Sequence, residues 1–113
     1  MSFREISATE LHNYLQTSEA NPLLLDVREP WEYEKCKLEN SQLIPMRQIP
    51  SVLNELDPDK EIIVICHHGI RSRTVAAYLA NNQFSNVVNL TGVIDAWASL
   101  VDLSMYTFLI TAL

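Results

Sequence analysis

The chain has 113 residues, a formal net charge of −6 at pH 7 and a hydrophobic fraction of 48%. That length is typical of one domain with its own core, and the negative charge argues against nucleic acid, whose phosphates need basic patches. The longest apolar stretch falls far short of the ~20 residues that span a membrane, so no membrane partner is expected. The two cysteines fit a reducing compartment and the N-terminus has no apolar signal region, so we expect a soluble cytoplasmic protein.

The predicted secondary structure alternates between strands and helices. Runs of apolar, often β-branched residues predict strands over residues 3–6, 23–27, 43–45, 62–65 and 87–90. Capping signals and helical periodicity predict helices after residue 7, after residue 29 and over residues 49–56, 72–82 and 93–100. This alternation indicates an α/β domain, in which a parallel five-stranded sheet is covered by helices on both faces.

One predicted strand, residues 62–65, ends at a cysteine that is followed by a short loop and a helix. In parallel sheets ligands bind beyond the carboxyl ends of the strands, and Cys66 stands at such an end. The loop contains Gly69, which permits close backbone approach, and Arg71-Ser72-Arg73 open the helix. Loop N–H groups and a helix N-terminus favour a thiolate and form a cradle for an anion. Cys66 is therefore predicted to be a nucleophile, the alternative being a buried core cysteine.

Four sequence boxes, in this order, resemble those of the rhodanese-like domains, which move sulfane sulfur through a cysteine persulfide. The boxes are Leu25-Asp26-Val27-Arg28-Glu29-Pro30-Trp31-Glu32-Tyr33, Leu43-Ile44-Pro45, Cys66-His67-His68-Gly69-Ile70-Arg71-Ser72 and Asn89-Leu90-Thr91-Gly92-Val93-Ile94-Asp95-Ala96-Trp97. The resemblance implies a single domain over residues 1–113 with the rhodanese-like three-layer fold. The tail, residues 101–113, matches nothing in the family and has no assigned role.

The resemblance also implies an activity, that of a thiosulfate sulfurtransferase. Cys66 would take sulfane sulfur from thiosulfate or a persulfide donor, hold it as a persulfide, and pass it to cyanide or a thiol. Two successive displacements on one nucleophile predict ping-pong kinetics. The donor is expected to be a small molecule or a protein, and no cofactor is expected.

The resemblance assigns each site residue a role beside the catalytic Cys66. The substrate-binding residues, chiefly through their backbone N–H groups, are His67, His68, Gly69, Ile70, Arg71 and Ser72. Two interpretations of Arg71 stay open: it reaches over the pocket toward the donor, or it pairs with an acid such as Asp26 or Glu32. Ser72 either caps the helix or donates to the persulfide. Asp26 and Arg28 would form a structural clamp beside the site.

Other residues receive more modest predictions. No metal is expected, because the adjacent His67 and His68 lack a second ligand pair. Cys36 is expected to be buried, with a resolving thiol as the alternative. Trp31 is expected to be partly exposed, at the rim of the site or on a partner surface. The apolar tail would cover the core or form a homodimer contact.

Three other functions are weighed against small-molecule sulfur transfer. Four residues separate Cys66 from Arg71, which resembles the short loop of the sulfurtransferases; related cysteine phosphatases and arsenate reductases have one residue more. A non-enzymatic binding or regulatory module is the second alternative, since fold does not imply function. A relay that receives sulfur from a protein donor is the third.

Overall fold

The computed structural model describes residues 3–17, 19, 21–66 and 70–91 of the chain. Within them the strands are β1 (Arg4–Ile6), β2 (Leu23–Asp26), β3 (Ser41–Leu43), β4 (Ile62–Ile65) and β5 (Val87–Leu90). The helices are α1 (Ala8–Gln16), α2 (Pro30–Lys35), α3 (Ile49–Val52) and α4 (Ile70–Asn81), and 3₁₀ turns at Met46–Gln48 and Leu53–Glu55 flank α3. The predictions for His67, His68 and Gly69, and for residues 92–113, lie outside the described residues.

The five strands form one parallel sheet, as predicted, and their order in it is β1-β5-β4-β2-β3. Strand β4 is central and its four residues are all buried, because both faces of a parallel sheet are covered. Ile63 and Ile65 pack on one face with Leu11 of α1. Ile62 and Val64 pack on the other face with the buried side of α3 and α4. The core therefore consists of two apolar layers, one on each side of the sheet.

Local signals in the sequence explain where the first two helices begin. Ser7 and Glu10 form the predicted capping box: the Ser7 hydroxyl accepts from the Glu10 N–H, and the Glu10 carboxylate accepts from the Ser7 N–H. Glu29 and Glu32 form a second capping box, with Pro30 as the first helical residue. Each box satisfies N–H groups that a helix cannot bond internally.

Three elements have a boundary that differs by two or more residues from the sequence-based prediction. The predicted strand 43–45 is β3 (Ser41–Leu43), which begins at polar residues outside the apolar run, and a 3₁₀ turn follows Pro45. The predicted helix 49–56 is only the four-residue α3 with its flanking turns. Helix α4 begins at Ile70 rather than at residue 72. The prediction missed this start because Ile70 is exposed and does not belong to the apolar periodicity from which the helix was predicted.

The register of the sheet brings two of the resemblance boxes together at one edge. Asp26, the last residue of β2, lies beside Ile65, the last residue of β4. Val27 extends the pairing, since its N–H donates to the Ile65 carbonyl at 3.0 Å. Cys66 follows directly, so it lies at the carboxyl edge of the sheet next to the chain that leaves β2.

No helix in the part of the chain that the structure describes is both long enough and apolar enough to cross a membrane.

Candidate active site

Cys66 lies at the carboxyl end of β4, between the sheet and the first turn of α4. Its side chain is 1% exposed and packs in the apolar layer beneath α4. The Cys66 Sγ is 3.2 Å from the Oγ of Ser72, which is completely buried. A thiol donates a hydrogen bond to that oxygen, whereas a thiolate accepts one from it. The N-terminus of α4 starts four residues after Cys66, so the positive end of the helix dipole also favours an anionic sulfur.

Ser72 does not take the first of the two roles left open by the sequence, that of a helix cap. It is the third residue of α4, not the residue before the helix, so it does not occupy the N-cap position. Its hydroxyl contacts the Cys66 sulfur instead. The sequence-based start of the helix at residue 72 was two residues too late, which is why a capping role stayed open for Ser72.

Asp26 and Arg28 form a buried ion pair beside Cys66. The Arg28 Nε lies 3.0 and 3.1 Å from the two Asp26 carboxylate oxygens, and Nη2 lies 2.8 Å from Oδ2. The backbone N–H of Arg28 also donates to Asp26 Oδ1, and the side-chain Nη2 donates to the carbonyl of Cys36 at the end of α2. Arg28 is 2% exposed, so this pair fixes the chain between β2 and α2 and fits the structural role that the resemblance implies.

Arg71 pairs with Glu32, which resolves its orientation in the structure. Its Nη1 and Nη2 donate to the two Glu32 carboxylate oxygens at 2.7 and 2.9 Å. The Glu32 side chain is 11% exposed and also accepts the Glu29 N–H at 2.9 Å. This bidentate pair connects α2 to the first turn of α4. Of the two acids named from the sequence, Glu32 is the partner and Asp26 is taken by Arg28.

The electrostatic shifts show that these groups act on one another. The hydrogen bond from Arg71 is the main cause that lowers the pKa of Glu32 to about 2, and the charge of Arg28 lowers it further. The hydrogen bond to Glu32 is the main cause that raises the pKa of Arg71, and the negative charges of Cys66 and Asp26 raise it too. Arg71 directly precedes Ser72, whose Oγ lies 3.2 Å from the Cys66 sulfur, so the Glu32–Arg71 pair lies at the turn that contacts Cys66.

The sequence also named residues that make none of these side-chain contacts in the described part of the chain. Ile70 and Trp31 are 74% and 61% exposed, and the Lys35 ammonium lies 5.5 Å from the centroid of the Trp31 ring. The exposure of Trp31 agrees with the prediction. Cys36 is buried and remains a thiol, like Cys66. His67, His68 and Gly69 lie outside the described residues.

Sequence reasoning missed the part that Glu29 plays in holding Glu32. The Glu29 N–H binds the Glu32 carboxylate, and the exposed Glu29 side chain pairs with Arg47. The signal was present as two glutamates three residues apart around Pro30, the spacing of a capping box. The same spacing at Ser7 and Glu10 was recognised, whereas here proline alone was used to place the helix.

Comparisons with known proteins were made for sequence and for structure. A family model for the rhodanese-like domain matches residues 7–100. The rhodanese-like/PpiC domain-containing protein 12, chloroplastic, of Arabidopsis thaliana is 37% identical over 93% of this chain, and the match spans 37% of that protein. The thiosulfate sulfurtransferase GlpE of Pseudomonas syringae pv. syringae is 34% identical over 70% of this chain and 74% of its own length.

A solved structure gives the same result for the fold. The crystal structure of a rhodanese-like domain protein from Staphylococcus aureus matches with a TM-score of 0.77 and 34% sequence identity. The match covers 84% of this chain and 91% of that one. The predicted rhodanese-like fold is therefore confirmed.

Replacing Asp26 with alanine is expected to cost about 3–5 kcal/mol of unfolding free energy, because it leaves the Arg28 charge buried without a partner. Urea denaturation monitored by fluorescence measures this loss. Arg47→Ala is the control, since it breaks only the exposed pair with Glu29 and should cost about 1 kcal/mol or less. Equal losses in the two variants would contradict a structural role for the Asp26–Arg28 pair.

The Glu32–Arg71 pair predicts a dependence of stability on acid pH. Because the pKa of Glu32 falls from 4.5 to about 2 on folding, the pair stabilises the fold fully above pH 4.5 and progressively less as pH falls toward 2. Glu32→Gln should therefore be less stable than the wild type at neutral pH, and this difference should shrink over that window. Urea midpoints measured between pH 2 and 7 test this, and a difference that does not change with pH would refute it.

Proposed function

This chain belongs to the rhodanese-like domain family, and on that premise we propose that it is a sulfurtransferase whose Cys66 carries sulfane sulfur as a persulfide. One observation supports the assignment to Cys66 above all others. Its sulfur lies at the carboxyl edge of the sheet, faces the Ser72 hydroxyl at 3.2 Å and precedes the N-terminus of α4. These are the surroundings that favour a nucleophilic thiolate.

The proposed first half-reaction loads sulfur onto Cys66. The thiolate attacks the outer sulfur of thiosulfate, forming a new S–S bond. The bond between the outer sulfur and the sulfonate sulfur breaks, and its electron pair leaves with sulfite. An organic persulfide donor would react in the same way, with a thiolate as the leaving group. The name of the Pseudomonas syringae relative, a thiosulfate sulfurtransferase, supports thiosulfate as one donor.

The second half-reaction would return Cys66 to its starting state. A nucleophile such as cyanide or a thiol attacks the outer sulfur of the persulfide. The S–S bond to Cys66 breaks, and its electron pair regenerates the thiolate. With cyanide the product is thiocyanate. Because the donor's leaving group departs before the acceptor reacts, the kinetics should be ping-pong.

The surrounding residues of the chain would support these steps by fixed electrostatics. Ser72 and the α4 N-terminus stabilise negative charge on sulfur without moving during the reaction. The buried Asp26–Arg28 pair holds the chain that passes Cys66. The Glu32–Arg71 pair holds the first turn of α4, and with it the position of Ser72.

The biological setting is part of the proposal. We infer a reducing compartment such as the cytoplasm, because both cysteines are buried thiols. The donor and acceptor are proposed to be small molecules or proteins, and the net charge of −6 argues against nucleic acid. A homodimer through residues 101–113 stays a prediction.

Cys66→Ala is expected to abolish persulfide formation while leaving the fold intact. Intact mass after incubation with thiosulfate or cysteine persulfide should show the wild type gaining one sulfur atom, which cyanide removes. Cys36→Ala is the matched control, because it removes the other buried thiol and should still load. Loading of the Cys66→Ala protein would refute the assignment.

Two results in the same assay would favour the alternatives. No loading of the wild type by either donor, together with no alkylation of Cys66 at neutral pH, would indicate a non-enzymatic module with a structural cysteine. Hydrolysis of a small aryl phosphate that is lost in Cys66→Ala would indicate phosphatase chemistry. Either result overturns the proposed sulfur transfer.

Ser72→Ala is expected to slow persulfide formation by roughly tenfold to a hundredfold, the effect of losing one hydrogen bond to a charged sulfur. Thr74→Ala is the matched control. Thr74 lies two residues after Ser72 on α4, and its exposed hydroxyl donates to the Ile70 carbonyl instead of contacting Cys66. Stopped-flow loading rates at equal urea stability measure the difference. Equal rates in the two variants would exclude Ser72 as a donor to the reacting sulfur.

A further inference from the structure

Two guanidinium groups on the segments that adjoin Cys66, those of Arg28 and Arg71, are each matched by a carboxylate. Arg28 lies against Asp26, and Arg71 lies against Glu32. Both pairs adjoin Cys66: Arg71 directly precedes Ser72, whose Oγ lies 3.2 Å from the Cys66 sulfur, and Asp26 and Arg28 flank Val27, whose N–H donates to the carbonyl of Ile65. The formal charges of these four side chains cancel, so they offer an approaching anion no net positive charge.

Glu32 is held so that it cannot easily release Arg71. Both of its carboxylate oxygens accept hydrogen bonds from Arg71, and one also accepts the Glu29 N–H. Its side chain is 11% exposed, against 30% for Arg71. A carboxylate with three short hydrogen bonds and little contact with water is a fixed counter-charge, whereas a mobile surface pair would exchange with solvent ions.

The two donor classes of the proposed reaction differ mainly in charge. Thiosulfate is a dianion that releases sulfite, also a dianion. An organic persulfide such as cysteine persulfide, whose organic part carries no net charge, releases a thiolate. Both form the same S–S bond at Cys66. Bringing a dianion up to a thiolate requires compensating positive charge, and a bridged Arg71 supplies less of it.

We propose that Glu32 is a positioning residue that neutralises Arg71 and thereby makes this site prefer organic persulfides to thiosulfate. The inference deepens the proposed function and rests on it. The proposal requires that the positive charge of Arg71 attracts a bound sulfur donor, and that the negative charge of Glu32 weakens this attraction. Replacing Glu32 by a neutral residue then raises the net charge of the site by one, and replacing Arg71 by a neutral residue lowers it by one.

The experiment compares loading by thiosulfate and by cysteine persulfide in the wild type, Glu32→Gln, Arg71→Gln and the double variant. Glutamine keeps an oxygen for the Glu29 N–H, so the cap of α2 is retained. Glu32→Gln should lower the KM for thiosulfate roughly fivefold to tenfold, with cysteine persulfide changing less than about twofold. Arg71→Gln should raise the thiosulfate KM, and the double variant should return it close to the wild-type value.

Glu34→Gln is the matched control, because Glu34 is exposed on the same helix and the change in net charge is the same. It should leave the ratio of kcat/KM for the two donors unchanged, since a distant exposed charge is screened. Added salt should reduce the gain of Glu32→Gln for thiosulfate. Circular dichroism and urea midpoints establish that each variant is folded at the assay temperature.

The outcomes separate this inference from the proposed function. A wild type that takes sulfur from neither donor overturns both. A wild type that loads from both, with a donor ratio that Glu32→Gln leaves unchanged, overturns the inference alone. Equal losses with both donors in Glu32→Gln would mean that Glu32 only supports the fold, and would also overturn it. A shift in KM for thiosulfate alone, reversed in the double variant, supports it.

Discussion

The buried ion pair between Asp26 and Arg28 is the interaction on which the carboxyl edge of the sheet depends. A charged pair with almost no exposure is tolerated only when its hydrogen bonds are satisfied, and Arg28 satisfies its own with Asp26 and the carbonyl of Cys36. That last bond fixes the end of α2. Helix α2 in turn presents Glu32 to Arg71, which lies in the first turn of the helix that contains Ser72. The sulfur of Cys66 is thus positioned by two linked ion pairs.

The sequence predicted the sheet well because burial leaves a local trace. A strand covered on both faces is apolar along its whole length, as β4 is, and such runs can be located without knowing what packs on them. The predicted boundaries of strands and helices were less accurate where an element begins at a residue that is polar or exposed. Strand β3 begins at the polar Ser41 and Gln42, and α4 begins at the exposed Ile70, so both starts lie outside the apolar pattern.

The candidate site was predictable in its residues and in the pairing of Asp26 with Arg28, but not in the partner of Arg71. Cys66, Asp26 and Arg28 follow from strand ends and from the family boxes. The partner of Arg71 did not follow, because Asp26 and Glu32 are both acids within reach of the same edge. The choice between them is a tertiary property: Arg28 occupies Asp26, which leaves Glu32 for Arg71. Likewise, the contact from Ser72 to Cys66 depends on the first turn of α4.

In the proposed mechanism, an anion at Cys66 would be stabilised differently from attraction by open cations. Within the described residues the nearby guanidiniums are bridged to carboxylates, so negative charge on sulfur would be stabilised by the Ser72 hydroxyl and the α4 dipole. Hydroxyl and helix dipoles act strongly at contact and weakly at a distance, so they stabilise a thiolate or persulfide without drawing distant anions to the site. A site built in this way separates two tasks, holding a charged sulfur and recruiting a charged donor, and it favours the first.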